Sequence, residues 1–495
     1  MQNKKVKIIA VVTGIVLMIV VLCLLGSGYF SSHRVLANSV QAGRVSVKQY
    51  GAVGDGQHDD YDAFNAAINS GMSEIYVPTG TYYLGDKTIN VGYGISLIGE
   101  NKTSCVVKNG AFRSSLGITV SNLTFDGGAT QAINYVGHAP ENGTVIMIVS
   151  PNGKQDISYK NCTFKNATVA SFAREEAGSF GNDEIIGCSF TNIQRVAVYH
   201  SVNINSGSYK SNIFDNIGSN NILSGCVSAL WIGDVTNNTY VQATNTVIDG
   251  NTFNNLVTKD DFSDSAHVIN ANFIALRSDT AVITNNKINN LSGYGEDREA
   301  VYTKVRDLTV TSNEITNGGM GEGYICDKGQ TGDAFCTITG NTIIGNAGCA
   351  IRTYVPGTIS DNIISITNSS SVITNTQRDK ITGNKELIIR KNTINCGTAA
   401  ELNYNGTTIK NYSTGKAIRI SNVKAPITIE KNTFTTTTPF TNYISVGNPG
   451  SSVNIKNNNI NRDDNNGQGI NVYNSKNYRV ATPGAVNVEN NNFGK

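Results

Sequence analysis

The sequence predicts an all-β chain: a single right-handed parallel β-helix, or solenoid, closed at its N-terminal end by a short helix. Three observations carry that expectation. A five-residue phrase with asparagine third and an apolar residue fifth recurs along the chain, as DGNTF at 249–253, TNNKI at 284–288, TSNEI at 311–315 and TGNTI at 339–343. Short β-rich stretches such as Val282-Ile283, Leu308-Thr309-Val310 and Ile427-Thr428-Ile429 precede the copies, and no coil has room for a long amphipathic helix. Fifty glycines, one tryptophan, eight prolines and 15% charged residues describe an elongated, turn-rich molecule with a core of small and β-branched side chains.

Further copies of the phrase centre on Asn212, Asn362, Asn392, Asn432, Asn458 and Asn491, while Cys162 and Cys188 hold the asparagine place in KNCTF and IGCSF. Steps run from 21 residues (341 to 362) to 40 (392 to 432), as expected of one unit repeated with loop insertions. Parallel strands stacked roughly 4.8 Å apart would bury the apolar fifth residue, so Phe253, Ile288, Ile315 and Ile343 should form one internal file. Asparagine suits the turn because its amide tolerates left-handed backbone and bonds the neighbouring coil. The phrase runs unbroken from about residue 120, which argues for one solenoid of about a dozen coils over 43–495 rather than several domains.

The start of the chain addresses it to the outside. Lys4, Lys5 and Lys7 precede an apolar run from Ile8 to Leu25, and small-residue sites end at Ala37 and Ala42. Residues 1–42 therefore read as a signal peptide, or as a membrane anchor, since 18 apolar residues suffice to span. The expected location is extracellular, secreted or at the cell surface, with membrane contact only through this segment. Beyond it 35 basic residues face 37 acidic ones, a balance that offers nucleic acid no attraction. Eight cysteines remain there without CxxC or zinc spacing, so small buried residues are expected rather than a structural metal cluster.

Residues 45–85 differ from the coils. Val47-Lys48-Gln49-Tyr50-Gly51-Ala52-Val53-Gly54-Asp55-Gly56, then Asp59-Asp60, then Ile75-Tyr76-Val77-Pro78-Thr79-Gly80-Thr81-Tyr82, resembles the N-terminal signature of the pectate-lyase superfamily. That superfamily includes rhamnogalacturonases, uronan epimerases, lyases and phage tailspikes, so the resemblance implies the fold more than the reaction. Gly54 and Gly56 allow a tight turn, and Asp59 or Asp60 is placed to cap a helix from about Tyr61 to Ser70 that plugs the solenoid.

Chemistry on a solenoid belongs in the groove along one sheet face. Counting back from each asparagine, Arg277 lies nine residues before Asn286, Lys304 nine before Asn313, Arg352 ten before Asn362, and Lys328 thirteen before Asn341 with an insertion around Thr331–Ala334. Four cations thus fall in one register on consecutive coils, at roughly 5 Å per rung, matching a polyanion. Corresponding positions earlier in the stack hold His200 and Trp231, and Tyr302 and Tyr324 flank the cations. The expected partner is an acidic polysaccharide.

β-Elimination from a uronic acid uses such residues well: a neutralised carboxylate, a base for the C5 proton and an acid for the departing O4. Glu322-Gly-Tyr-Ile-Cys-Asp-Lys328, followed one coil later by Ala350-Ile351-Arg352, is similar to the arrangement in alginate lyase and chondroitinase B type polysaccharide lyases. That resemblance implies Lys328 as base, Arg352 as acid, and Glu322 with Glu299 as calcium ligands; Lys304 is the competing base one coil earlier, and Arg277, Tyr302, Tyr324, Trp231 and His200 are the expected substrate contacts. The sequence departs from that pattern at Thr353-Tyr354. A glycoside hydrolase would need two carboxylates on the groove, with Asp234, Asp260, Asp261 and Asp279 the nearest candidates. A non-catalytic glycan-binding surface protein would use the same cations. The residues leave these classes open, and with them the polymer and the oligomeric state.

Overall fold

A computed structural model describes residues 41–493 apart from 115–116, 129–144, 150–155, 220–224, 236–241, 259–268, 292–297, 319–322, 346–348, 368–370, 398–400, 405–406, 411–414, 437–441, 462–468 and 474–485. The chain divides into two compact units, Met1–Gln41 and Ala42–Lys495. Residues 1–40, which hold the apolar run of the expected export segment, lie outside the described part.

The second unit is a right-handed parallel β-helix. Each coil presents three strand positions, and each strand pairs in parallel with its counterpart on the next coil. One such file runs Phe214, Phe253, Ile288, Ile315, Ile343, Ile364, Ile394, Phe434 and Ile460, each residue opposite the next. All nine are buried, as the fifth position of the phrase requires. At its aromatic end Phe164, Phe190, Phe214 and Phe253 stack face to face with centroids 5.0, 4.8 and 4.9 Å apart, which is the coil spacing itself.

The asparagines form a continuous buried ladder. Asn313 Oδ1 accepts from the backbone N–H and the Nδ2 of Asn286 (3.0 and 2.9 Å), while its own Nδ2 donates to Ile283 O and Asn341 Oδ1 (both 2.9 Å). The same pattern links Asn212, Asn251 and Asn286 above it and Asn341, Asn362, Asn392, Asn432, Asn458 and Asn491 below. The left-handed residue of the turn is not the asparagine but the one before it: Ser211, Gly250, Asn285, Ser312, Gly340, Asp361, Lys391, Lys431 and Asn457 all have φ between 53° and 65°. The asparagine is therefore selected for its amide, and its neighbour for backbone tolerance.

The N-terminal helix spans Tyr61–Ile68, two residues shorter than expected, and buries Ala63, Phe64, Ala67 and Ile68. Its capping differs in detail from the expectation. Asp59 Oδ1 accepts from Tyr61 N (3.1 Å), whereas Asp60 makes no cap bond and instead accepts from Val53 N (2.7 Å) and Gly54 N (3.1 Å), closing the glycine turn. Gly54 has φ +74° and an added Cβ would meet the Tyr82 ring at 2.8 Å, so both conformation and space demand glycine there. One antiparallel hairpin, Glu401–Tyr404 with Thr407–Lys410, stands apart from the parallel coils.

All eight cysteines of this unit are free and buried. Cys162 and Cys188 replace asparagine in the ladder, and Cys162 N–H donates to Cys188 Sγ at 3.4 Å.

Candidate functional site

The groove face is built from the strands Gly225–Ile232, Ile269–Thr284, Arg298–Thr311, Ile325–Asp327, Ile351–Thr353 and Ser371–Thr376. Their register sorts side chains into rows. An inward row of Leu230, Ile274, Val301, Ile325, Ile351 and Ile373 is fully buried. The next residue points outward and gives the row Phe172, Tyr199, Trp231, Ala275, Tyr302, Cys326, Arg352 and Thr374. The residue after that points inward again, giving His200, Ile232, Leu276, Thr303, Asp327, Thr353 and Asn375.

The cations occupy two adjacent outward rows, not one. Arg277 pairs with Lys304, and Lys328 N bonds Thr303 O, which places these three on consecutive rungs. Arg352 instead pairs with Cys326 in the Trp231–Tyr302 row, and Tyr354, whose N bonds Asp327 O, takes the rung below Lys328. Counting back from Asn362 misplaced Arg352 because that coil turns into its next strand, Gly357–Ser360, with one residue fewer. The outcome is a tighter cluster than a ladder. Lys328 is 7% exposed, and its Nζ lies 3.4 Å from Tyr354 Oη, 4.5 Å from the centre of that ring and 6.0 Å from the Tyr302 ring. Arg352 is hydrogen-bonded to Tyr354, and the Arg378 guanidinium lies 4.6 Å from the Tyr354 ring centre. Burial raises the Tyr354 phenol above its ordinary pKa, with Arg352 opposing.

One coil up, Trp231, Val235, Asn270, Asn272, Glu299, Tyr302 and Lys304 enclose a pocket of about 260 Å³. Glu299 is fully buried, and its Oε2 accepts from Asn272 Nδ2 at 2.9 Å. The register explains the notch: Ala275 stands between Trp231 and Tyr302 in the outward row. Behind it, Trp231 stacks on Tyr199 (5.9 Å) and Tyr199 on Phe172 (5.4 Å), fixing the indole plane.

Two expected substrate contacts lie elsewhere. His200 points into the solenoid, is fully buried, and bonds Asp183 Oδ2 through Nδ1 (2.6 Å) and Ser171 Oγ through Nε2 (2.8 Å). This serine–histidine–aspartate geometry is sealed in the core, with Tyr159 and Tyr209 completing it (2.9 and 2.6 Å), and no substrate reaches it. Tyr324 is 2% exposed and packs against Gly318 and Gly345, because its position is the inward corner that Ala300 and Ala350 occupy on neighbouring coils. Glu322, Asp260 and Asp261 lie outside the described residues. Sequence reasoning missed Arg378, Asn270, Asn272 and Gln330. Gln330 Nε2 donates to Ser278 O (2.7 Å) and Lys304 O (3.3 Å), pinning the backbone behind two of the cations. Its signal was the insertion at 331–334, whose Gly332 bonds Lys380 O and Thr382 N on a later coil.

Calcium, implied by the lyase resemblance, requires six to eight oxygen ligands. Among the described residues no group of three acidic, histidine or cysteine side chains is placed to hold a metal. Of the two expected ligands, Glu299 is bonded to Asn272 and Glu322 lies outside the described residues.

Several known proteins are similar in part. A preneck appendage protein of Bacillus phage PZA is 32% identical over 145 residues, 25% of this chain and 16% of that protein. The plasmin and fibronectin-binding protein A of Streptococcus pneumoniae is 28% identical over 162 residues, 28% of this chain and 22% of that protein. These segments are a minor part of the length of either relative. Among solved structures, the catalytic unit of an α-1,3-glucanase from Streptomyces thermodiastaticus superposes with a TM-score of 0.38 and 16% identity, over 88% of this chain and 69% of that one. Residues 44–272, a little under half of the chain, match the family described as rhamnogalacturonase A/epimerase, pectate lyase-like, in agreement with the N-terminal signature and the parallel coils described above.

Proposed function

We propose that this is an extracellular polysaccharide-active protein that cleaves a uronic-acid-containing polymer by β-elimination. The supporting observation is the cluster of Lys328, Tyr354, Arg352 and Arg378 on the groove face, where a nearly buried ammonium touches a phenol held by two guanidiniums. In this reading Lys328 is the base, the lone pair of its neutral amine taking the C5 proton. The C5–H electrons form the C4=C5 bond, the C4–O4 bond breaks, and O4 takes a proton. A guanidinium does not release protons at ordinary pH, so the acid role assigned to Arg352 passes to Tyr354, with Arg352 stabilising the phenolate. Lys304 and Arg277 extend the contacts of the groove to flanking units. No step is routed through calcium.

A second reading keeps the same groove for glycan binding without cleavage; the segment similar to the pneumococcal plasmin and fibronectin-binding protein favours a binding role over a catalytic one. A hydrolase is disfavoured, because Glu299 is the one carboxylate among the described residues lining the pocket. The full chain incubated with alginate, pectate and hyaluronan, with and without chelator, separates these readings. Absorbance from a new C=C bond, lost in Lys328→Ala and reduced about 10²-fold or more in Tyr354→Phe, supports the lyase. New reducing ends without absorbance indicate a hydrolase, and retention without cleavage an adhesin.

A further inference from the structure

We infer that the pocket between Trp231 and Tyr302 is a separate subsite for an uncharged pyranose unit, so that the glycan bound here joins an uncharged sugar to a uronate. The inference rests on the groove reading above and adds the identity of the neighbouring sugar. Its first support is geometry. Trp231 and Tyr302 occupy the same outward row two coils apart, with the small Ala275 between them. Two strand spacings separate the rings by roughly 9–10 Å. A saturated ring making van der Waals contact on both faces, at about 3.5–4 Å each, fills that interval, and a volume of about 260 Å³ suits one such unit.

The second support is an unsatisfied donor. Trp231 is 3% exposed and lines the pocket, yet its indole Nε1–H has no acceptor among the described residues. A buried donor without a partner costs free energy unless a ligand oxygen accepts from it. Hydroxyl, ring and acetamido oxygens of a sugar meet that need, and Asn270 and Asn272 supply further amides on the same wall.

Charge selects among sugars. The pocket sets one carboxylate, the fully buried Glu299, beside one ammonium, Lys304. A second carboxylate entering it would meet Glu299 in a low-dielectric surround. The neighbouring rungs set Lys328, Arg352 and Arg378 about Tyr354 on the groove face. Adjacent coils at roughly one strand spacing therefore favour unlike neighbours: a uronate at Lys328, an uncharged unit at Trp231.

The test is calorimetric binding by the full chain, using octasaccharides of oligogalacturonate, in which every unit is a uronate, and of hyaluronan and the rhamnogalacturonan backbone, in which uronate alternates with an uncharged sugar. At least one alternating probe should bind about tenfold or more tightly than oligogalacturonate. Trp231→Phe keeps the ring and deletes the donor; it should weaken that probe about tenfold and leave oligogalacturonate unchanged. Lys328→Ala should weaken both kinds. Oligogalacturonate binding as tightly as the alternating probes, or Trp231→Phe without effect on them, overturns the subsite. Binding that depends on Trp231 but not on Lys328 keeps the subsite and sinks the polyuronide reading; absence of all binding sinks both.

Discussion

Replacing Asp327 by asparagine should change how stability depends on pH, in a direction the structure dictates. Asp327 sits directly before Lys328 in the chain but points the other way, into the core, where it is fully buried. Its Oδ1 accepts from Thr303 Oγ1 (2.9 Å) on the coil above and from Gly329 N (3.0 Å), so it closes the turn that presents Lys328 to the groove. Burial pushes its carboxyl up to about 6, outweighing those hydrogen bonds. An acid whose pKa is higher folded than unfolded holds its proton more tightly in the native state. The stabilisation is complete below the unfolded value near pH 4 and is lost as pH rises through about 6. A rise of this size amounts to about 3 kcal/mol across that window. The amide oxygen of the substituted asparagine would keep both hydrogen bonds without the charge. Guanidinium unfolding of the wild type and Asp327→Asn, run from pH 4 to pH 8, should therefore show the variant gaining about 3 kcal/mol relative to wild type as pH rises. A difference between the two proteins that stays flat over this range would refute the burial argument.

The remaining expectations concern the ladder, the core triad and the thiols. Asn313→Ala strips partners from the buried Asn286 N–H and Ile283 carbonyl and should cost about 3–5 kcal/mol, read by chemical unfolding, whereas Asn491→Ala at the last described rung should cost about 1 kcal/mol. His200→Ala leaves the Asp183 carboxylate buried with Tyr209 and without its histidine, so stability should fall by about 3–5 kcal/mol, while glycan binding per folded molecule, measured by calorimetry, stays unchanged. The eight buried thiols, among them Cys326 and Cys336 held well above the ordinary thiol pKa by burial, should not react with an aromatic disulfide reagent until the protein is unfolded.

Periodicity is legible in a sequence because it is local: each phrase states its own turn, and its fifth residue states its own burial. Phe253, Ile288, Ile315 and Ile343 stack as that logic requires. The site was legible only in part. Trp231, Tyr302, Lys304 and Glu299 come together around one pocket, and Lys328 with Arg352 around Tyr354, because all belong to rows of one sheet. His200 was misplaced because a shift of one residue along a strand reverses the side chain from groove to core, and Tyr324 because it stands at the corner before its strand, Ile325–Asp327.

The sequence by itself determined the solenoid, its asparagine ladder and the stretch of coils that carries the cations, since these follow from short-range pattern and composition. Only the tertiary structure decided which cations share a rung, that Ala275 opens a notch between two aromatic rings, and that Arg378 and Gln330 close on the site. Those relations depend on how many residues each turn consumes between strands, and that count is set by packing between coils rather than by any single coil's residues.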